Sequence, residues 1–359
     1  MSGGAPRPAA ARVLVVDDSG FMRLALRRMI EAEGDLVVAG EAVDGQGAVE
    51  AAARLRPELV VMDVAMPRLD GLEATRRIMG LPEPPAVVMV SAHTRDGSAT
   101  ALAALEHGAV DYLWKDSELG GPDLARLDRE LRPLLRRWAK ERGEGAPVPP
   151  TTAPAPSPPA EAGAAALARR PDVVVVGAST GGPDAVAAFL GACGALPVPC
   201  VIAQHMPADL APDFAAHLAR RTGLPAVPAA DGGALAAGAV AVLPGGTDGA
   251  LVRRGAGGFA LRLAATAAPV HPSVDVLFRS AAAAARQALG VVLSGMGRDG
   301  AEGAATMAAR GMAVLAQAPP SCVVAGMPGA VIAAGLAAAV GDPAALGARV
   351  AALLAPVSR

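Results

Sequence analysis

Between residues 12 and 113, short apolar runs alternate with stretches whose apolar residues recur every three or four positions. Arg12-Val13-Leu14-Val15-Val16 predicts a strand, and apolar runs at 36–39, 59–62, 86–90 and 109–113 predict four more. Phe21 to Glu33 and the stretches near 45–55, 71–80 and 97–107 have the spacing of amphipathic helices. Strand and helix alternating in this way predict a parallel sheet covered on both faces, and such sheets place their sites at the carboxyl ends of the strands. Those ends carry Asp17 and Asp18 after the first strand, Asp63 after the third, Ser91 after the fourth and Lys115 after the fifth.

Three carboxylates on one rim repel one another unless a hard cation sits among them, and a site with few oxygen ligands suits Mg²⁺, which also contacts phosphate. The set predicts a phosphoryl site. Asp63 is its nucleophile towards a phosphodonor, Asp17 and Asp18 hold the metal together with Asp63, Lys115 neutralises phosphoryl oxygens, and Ser91 hydrogen-bonds the new phosphate. Val15-Val16-Asp17-Asp18-Ser19, Met62-Asp63-Val64-Ala65-Met66-Pro67-Arg68-Leu69-Asp70-Gly71, Ser91-Ala92 and Lys115 resemble a response-regulator receiver domain over residues 11–138. The resemblance implies a flavodoxin-like fold, Asp63 as phosphoacceptor, a partner histidine kinase as phosphodonor, and an aromatic switch position at Tyr112. Receivers commonly carry proline after the lysine; here Asp116 follows Lys115, a departure that bears on how the lysine sits and on phosphorylation rate or lifetime.

Residues 117–140 predict a closing helix, with Leu124, Leu127, Leu131, Leu134, Leu135 and Trp138 at helical spacing and a kink at Pro133. From Gly143 to about Ala168 the chain is mostly proline, alanine, glycine and threonine, which predicts a semi-extended tether. The expected organisation is a receiver at 11–138, a Pro/Ala-rich linker at 139–170 and a second domain at 171–359.

The second domain opens on Val173-Val174-Val175-Val176, a buried strand that stops at Gly177-Ala178-Ser179-Thr180-Gly181-Gly182. Gly177 to Gly181 fit G-x-S-x-G, in which glycines let a tight strand-to-helix turn hold a hydroxyl out of the sheet. A glycine-rich turn that packs closely or binds phosphate would show the same residues. Pro183 to Leu190 predicts a helix, and Cys200-Val201-Ile202-Ala203 a strand ending at Gln204-His205-Met206-Pro207. In a parallel sheet His205 shares the rim with Ser179 and is a candidate general base, the alternative being a hydrogen-bonded structural histidine. Residues 226–263 predict hairpins added to the main sheet, and Val274 to Leu289 a helix. Val291-Val292-Leu293 then predicts a strand reaching Ser294-Gly295-Met296-Gly297-Arg298-Asp299-Gly300. Asp299 is either the acid that orients His205 or the N-cap of the helix that follows.

The order Ser, His, Asp differs from the Ser, acid, His order of α/β-hydrolases with the same G-x-S-x-G. The motifs around Ser179, His205 and Asp299, with Pro272-Ser273-Val274-Asp275-Val276-Leu277-Phe278, closely resemble the chemotaxis protein-glutamate methylesterase family, in which a receiver precedes the esterase. The resemblance implies a doubly wound, mostly parallel α/β methylesterase domain with Ser179 as nucleophile, His205 as base, Asp299 as orienting acid and oxyanion donors near Thr180 and Met296. It also implies hydrolysis of glutamate methyl esters on chemoreceptor helices, releasing methanol, and deamidation of glutamines, under control of a receiver that uncovers the Ser179 rim when Asp63 is phosphorylated. The chain departs from the pattern at Asp248, where histidine is usual, at Ala241, usually aromatic, and at Ala318-Pro319-Pro320, usually acidic. These departures are expected in substrate-groove loops. A catalytically silent, phosphorylation-switched binding module is the alternative from another class, and the same esterase acting outside chemotaxis is a variant.

The net charge of −2 gives no basic field for nucleic acid, and the 52% hydrophobic content is largely alanine, with no apolar run long enough for a bilayer. Residues 1–10 lack the charged start and apolar core of a signal peptide, and Cys193, Cys200 and Cys322 lack metal or disulfide-framework spacing. The expected location is the cytoplasm, with no cofactor in the esterase site.

Overall fold

A computed structural model describes residues 10–91, 97–115, 123–144, 166–167, 169–255 and 258–355. The chain divides into two compact units, residues 1–144 and 145–359. Asp116 and most of the expected linker lie outside the described residues.

In the first unit, strands β1 (Ala11–Val16), β2 (Leu36–Ala42), β3 (Leu59–Asp63), β4 (Ala86–Ser91) and β5 (Asp111–Trp114) form a parallel sheet in the order β2-β1-β3-β4-β5. The central strands are continuous apolar runs because helices cover both faces; Val13–Val16 and Leu59–Met62 have no exposed surface. Helices α1 (Gly20–Glu31), α2 (Gly45–Leu55), α3 (Gly71–Ile78), α4 (Gly97–Glu106) and α5 (Leu124–Glu144) alternate with the strands as the hydrophobic pattern requires. Ser19, Asp44 and Asp70 cap α1, α2 and α3 by accepting from Met22, Gly47 and Glu73 amides. Strand order reverses between β1 and β3, so Asp17 and Asp63 flank the switch point where such sheets place ligands.

Two boundaries differ from the sequence reading. β5 begins at Asp111 rather than 109: Ala109 N still donates back to Ala104 O of α4, and Val110 N makes the first bond to β4, at Val87 O, just ahead of the paired residues. α5 continues through Pro133 to Glu144, past the expected start of the linker. Pro133 is exposed, so the carbonyl that loses its amide partner there can turn to water.

The second unit is built on a seven-stranded sheet in the order β15-β14-β13-β6-β7-β10-β8, every paired neighbour parallel. Its strands are β6 (Val173–Ala178), β7 (Cys200–Gln204), β8 (Ala226–Pro228), β10 (Val240–Val242), β13 (Ala288–Val292), β14 (Val314–Gln317) and β15 (Ala339–Gly341). The helices are α6 (Gly182–Cys193), α7 (Ala211–Thr222), α8 (Val274–Ala284), α9 (Ala301–Ala309), α10 (Gly326–Ala333) and α11 (Pro343–Leu354). The fold is therefore α/β and doubly wound, with a flavodoxin-like first unit. Residues 226–263 do not simply add hairpins to the main sheet. β8 and β10 join it in parallel, while β9 (Ala234–Leu235), β11 (Asp248–Arg254) and β12 (Gly258–Ala264) make a separate antiparallel sheet. That small sheet shares the core with α8 through Leu251, Phe259, Leu261, Leu277 and Phe278.

The expected helix from Val274 to Leu289 ends at Ala284, and the next strand starts at Ala288. An alanine-rich run has no periodicity to mark that change. The pairing of Ala288 and Leu289 with Val173 and Val174 on β6 decides it. In the main sheet the switch point lies between β6 and β13, the two strands that lead to Ser179 and Asp299. Among the described residues no helix is long and apolar enough to cross a membrane.

Both tryptophans, Trp114 and Trp138, lie in the first unit and are buried. Their fluorescence therefore follows the unfolding of that unit alone. Leu131, with no exposed surface on α5, is expected to cost it about 2–5 kcal/mol when changed to alanine. A urea titration followed by tryptophan emission, compared with wild type, checks this.

Candidate active site

Ser179 follows the last residue of β6 and is 1% exposed. The turn exists because both motif glycines are needed. A Cβ on Gly177 would stand 2.2 Å from Val274 Cγ1, and Gly181 has φ 72°, which a side chain disfavours. The parallel register pairs Ala178 with Gln204, and His205 N donates to Ala178 O at 3.0 Å, so His205 lies beside Ser179 on the same rim. Between them sits Gln204, fully buried, whose Nε2 donates to the carbonyls of both Ser179 (2.8 Å) and His205 (2.9 Å). On the other side Ser179 N donates to Ser294 O at 2.9 Å, tying the turn to the end of β13.

His205 is 4% exposed and its Nε2 lies 2.9 Å from Asp299 Oδ2. A carboxylate there accepts from Nε2–H, which leaves Nδ1 as the basic nitrogen of the neutral ring. That Nδ1 and the Ser179 hydroxyl are both buried and, among the described residues, without a hydrogen-bond partner. Two orphaned polar atoms on adjacent strand ends are costly in a finished core, but they suit a site whose partner is a reacting group. Among the described residues no acceptor is found for the backbone N–H of Thr180 or of Met296, both buried beside the turn. Donors of this kind can receive a developing oxyanion.

Asp299 does not cap its own helix. The N-cap of α9 is Gly300, with no side-chain cap. Asp299 instead sits on the N-terminus of α8, accepting from Ser273 Oγ (3.1 Å), Val274 N (2.7 Å) and Asp275 N (3.0 Å) as well as His205. Asp275 reciprocates, accepting from Gly300 N (3.0 Å) and Gly303 N (2.6 Å) at the start of α9. The α9 N-terminus thus receives a carboxylate from the first turn of α8, and the α8 N-terminus one from the residue before the N-cap of α9, with favourable dipole charge at both ends.

The two acids resolve oppositely. For Asp299, burial pushes the carboxyl up, but the His205 hydrogen bond and charge and the two α8 amides together outweigh it and hold the group below the usual range. For Asp275, burial and then the Asp299 charge prevail over the Gly303 amide and lift it to about 6.

In the first unit Lys115 Nζ reaches Asp17 Oδ2 at 2.6 Å and Asp63 Oδ1 at 2.8 Å. One carboxylate oxygen from each of Asp17, Asp18 and Asp63 falls in a group within 4.8 Å of one another. Asp17 and Asp63 are buried and Asp18 exposed, an all-oxygen donor set that fits a hard divalent cation. Burial chiefly, with the Asp17 charge adding, raises Asp63 against the pull of Lys115. Ser91, the last residue of β4, is 6% exposed, and its carbonyl accepts from Lys115 N at 2.7 Å. Burial raises the Tyr112 phenol against an opposing interaction with Ser91.

The departures from the family pattern fall elsewhere than expected. Ala241 is a buried residue inside β10, and Asp248, 1% exposed, opens β11, so neither lies in an open groove loop. Pro319 and Pro320 do sit on the surface, in the short 3₁₀ turn Pro319–Ser321. Cys193 and Cys200 are buried, and Cys322 is partly exposed with burial pushing its thiol up to about 12. The residues that sequence reasoning did not single out are Gln204, Ser273 and Asp275. Gln204 stands beside His205 in the chain, but nothing in the pattern says that its amide clamps both sides.

Asp275 makes stability depend on pH in the second unit. Between the ordinary carboxylate range and about 6 the folded chain holds a proton there that the unfolded chain has released. The folded state binds more protons in that window, so this group's contribution to stability falls as pH rises through it. Asp275→Asn keeps an acceptor for the two amides and removes the charge. It is expected to flatten the loss between pH 4 and 7, measured by urea unfolding followed by far-UV circular dichroism.

The chain matches the CheB methylesterase family over residues 174–350 and the response regulator receiver domain over residues 13–121. A protein-glutamate methylesterase/protein-glutamine glutaminase of Nocardioides is 40% identical over 334 residues, covering 91% of this chain and 90% of that protein. One of the same description from Myxococcus xanthus is 41% identical over 337 residues, covering 91% and 92%. The crystal structure of the Thermotoga maritima CheB methylesterase catalytic domain aligns at 31% identity over 51% of this chain and 98% of that one, with a TM-score of 0.48. With about 40% identity maintained across nine-tenths of both chains, this chain belongs to the protein-glutamate methylesterase/protein-glutamine glutaminase family.

Proposed function

We propose that the protein hydrolyses γ-methyl esters of glutamate side chains on the cytoplasmic helices of chemoreceptors, and deamidates glutamines there, under control of phosphorylation at Asp63. The observation that carries this reading is that Ser179 Oγ and His205 Nδ1, both buried and without a hydrogen-bond partner among the described residues, stand at adjacent strand ends, with the histidine anchored at its other nitrogen by Asp299. Ser179 Oγ attacks the ester carbonyl carbon while His205 Nδ1 takes its proton. Asp299, held ionised by α8, stabilises the imidazolium so formed. The amides of Thr180 and Met296 receive the oxyanion of the tetrahedral intermediate. Collapse breaks the C–O bond, and His205 returns the proton to the departing methoxide as methanol. Water, deprotonated by His205, then cleaves the glutamyl–Ser179 ester to glutamate. With glutamine the leaving group is ammonia and the rest is unchanged.

In the receiver, Asp63 is the phosphoacceptor, with Asp17 and Asp18 completing the cation site and Ser91 and Lys115 meeting the phosphate oxygens. Mg²⁺ bound there supplies positive charge that lets three carboxylates and an incoming phosphoryl group share one rim. A histidine kinase is the phosphodonor. The phosphate acts as a local charge change that shifts the population of the chain towards its active arrangement.

Two measurements test this. Methanol release from methylated receptor membranes, with a small phosphodonor and Mg²⁺, is expected to fall by about 10⁴-fold or more in Ser179→Ala. Asp63→Asn should retain basal release and lose the increase produced by the phosphodonor. Release that survives in Ser179→Ala would refute the serine mechanism.

A further inference from the structure

The buried acid at position 248 is not explained by the reaction above. Asp248 is 1% exposed and accepts three hydrogen bonds, from Thr266 Oγ1 (2.5 Å), His271 Nδ1 (2.9 Å) and Ser273 N (2.6 Å). A buried carboxylate is costly unless it is paired and fully hydrogen-bonded, and here its partners all lie on the segment that leads into α8. That segment ends at Ser273, which is used twice. Its amide is fixed by Asp248, while its hydroxyl caps α8 by accepting from Val276 N (3.3 Å) and donates to Asp299 Oδ1 (3.1 Å). The next two amides, of Val274 and Asp275, also donate to Asp299. Three of the four groups that hold Asp299 are therefore consecutive residues of one turn, and Asp248 pins the first of them.

We propose that Asp248 is a positioning residue for the acid of the Ser/His/Asp set, fixing the α8 N-terminus through Ser273 so that Asp299 keeps His205 in register. The inference rests on the proposed esterase reading for its catalytic consequence, but its structural content does not. The charged and titratable groups that face this network are His271 on Asp248, and Asp275 and His205 on Asp299. Among the described residues Asp248 has no hydrogen bond to His205 or Ser179, so its effect on them passes through Ser273 and Asp299.

The test uses the full chain and a readout that needs no substrate. A histidine N–H donating to a buried carboxylate gives a proton resonance far downfield of ordinary amides, assigned to His205 by its loss in His205→Gln. Asp248→Asn offers N–H donors where Thr266 and His271 already donate. It is expected to shift this His205 resonance upfield or abolish it while the circular dichroism spectrum stays native. Methanol release should fall by about 10- to 100-fold in kcat with little change in KM, the size expected when a reacting group is displaced rather than removed. Ser273→Ala should do the same, and the double variant should be no worse than the more impaired single one, since both act on one path.

A His205 resonance unchanged in a folded Asp248→Asn protein overturns the proposal, as does full additivity with Ser273→Ala. Should Asp248→Asn not fold, Thr266→Val/His271→Gln loosens the same carboxylate, and an unchanged His205 resonance there overturns it equally. Absence of methanol release from the wild-type protein would refute the esterase reading alone, because the resonance still reports on Asp248.

Discussion

The second unit depends on one carboxylate being kept ionised where burial opposes it. Asp299 accepts from an imidazole, a hydroxyl and two backbone amides, and these together overcome the desolvation that would otherwise protonate it. Three of those donors belong to the first turn of α8, so the helix must arrive at one place and one angle. The small antiparallel sheet, the Thr266–Ser273 segment and the core shared by Leu251, Leu277 and Phe278 can all be understood as what brings it there. The main sheet supplies the other half, since the register of β6 with β7 and β13 places Ser179, His205 and Ser294 at adjacent strand ends.

The same device meets the opposite demand in Asp275. Its carboxylate receives two amides from the start of α9, yet the charge of Asp299 nearby is enough, on top of burial, to lift it to about 6. Of the two acids, the more deeply buried one has an imidazole partner and stays charged, and the other yields. In the receiver the balance falls with desolvation again, since Lys115 bridges Asp17 and Asp63 and still leaves Asp63 raised. Carboxylates crowded in this way are tolerable only with positive charge among them.

Much of this was legible in the chain. Continuous apolar runs and period-3.6 patterns located the receiver's elements to within a few residues, because each strand is bounded by a polar turn. The candidate residues Ser179, His205, Asp299, Asp17, Asp63 and Lys115 were legible because parallel sheets gather strand ends, so position alone narrows the choice. Alanine defeated the pattern: from 281 to 288 it carries no face, and only strand pairing tells where α8 stops and β13 begins. Sequence order also hid which helix Asp299 serves, because capping between segments leaves no local spacing to detect. Asp248 was misplaced for a related reason. An acid among glycines reads as an open loop, and only the donors folded over it from residues 266–273 make it a buried one.

Asp299 lies 94 residues beyond His205 in the chain. At about 5–20 residues per second, the ribosome delivers the serine and the histidine roughly 5–20 s before the acid that hydrogen-bonds the histidine. A nascent domain whose β6 and β7 have paired thus presents a hydroxyl and an imidazole that still lacks its carboxylate. The full set of hydrogen bonds around that carboxylate can form only once the last third of the domain has been made. The order of residues along the gene delays the assembly of this cluster until the fold that holds it is complete.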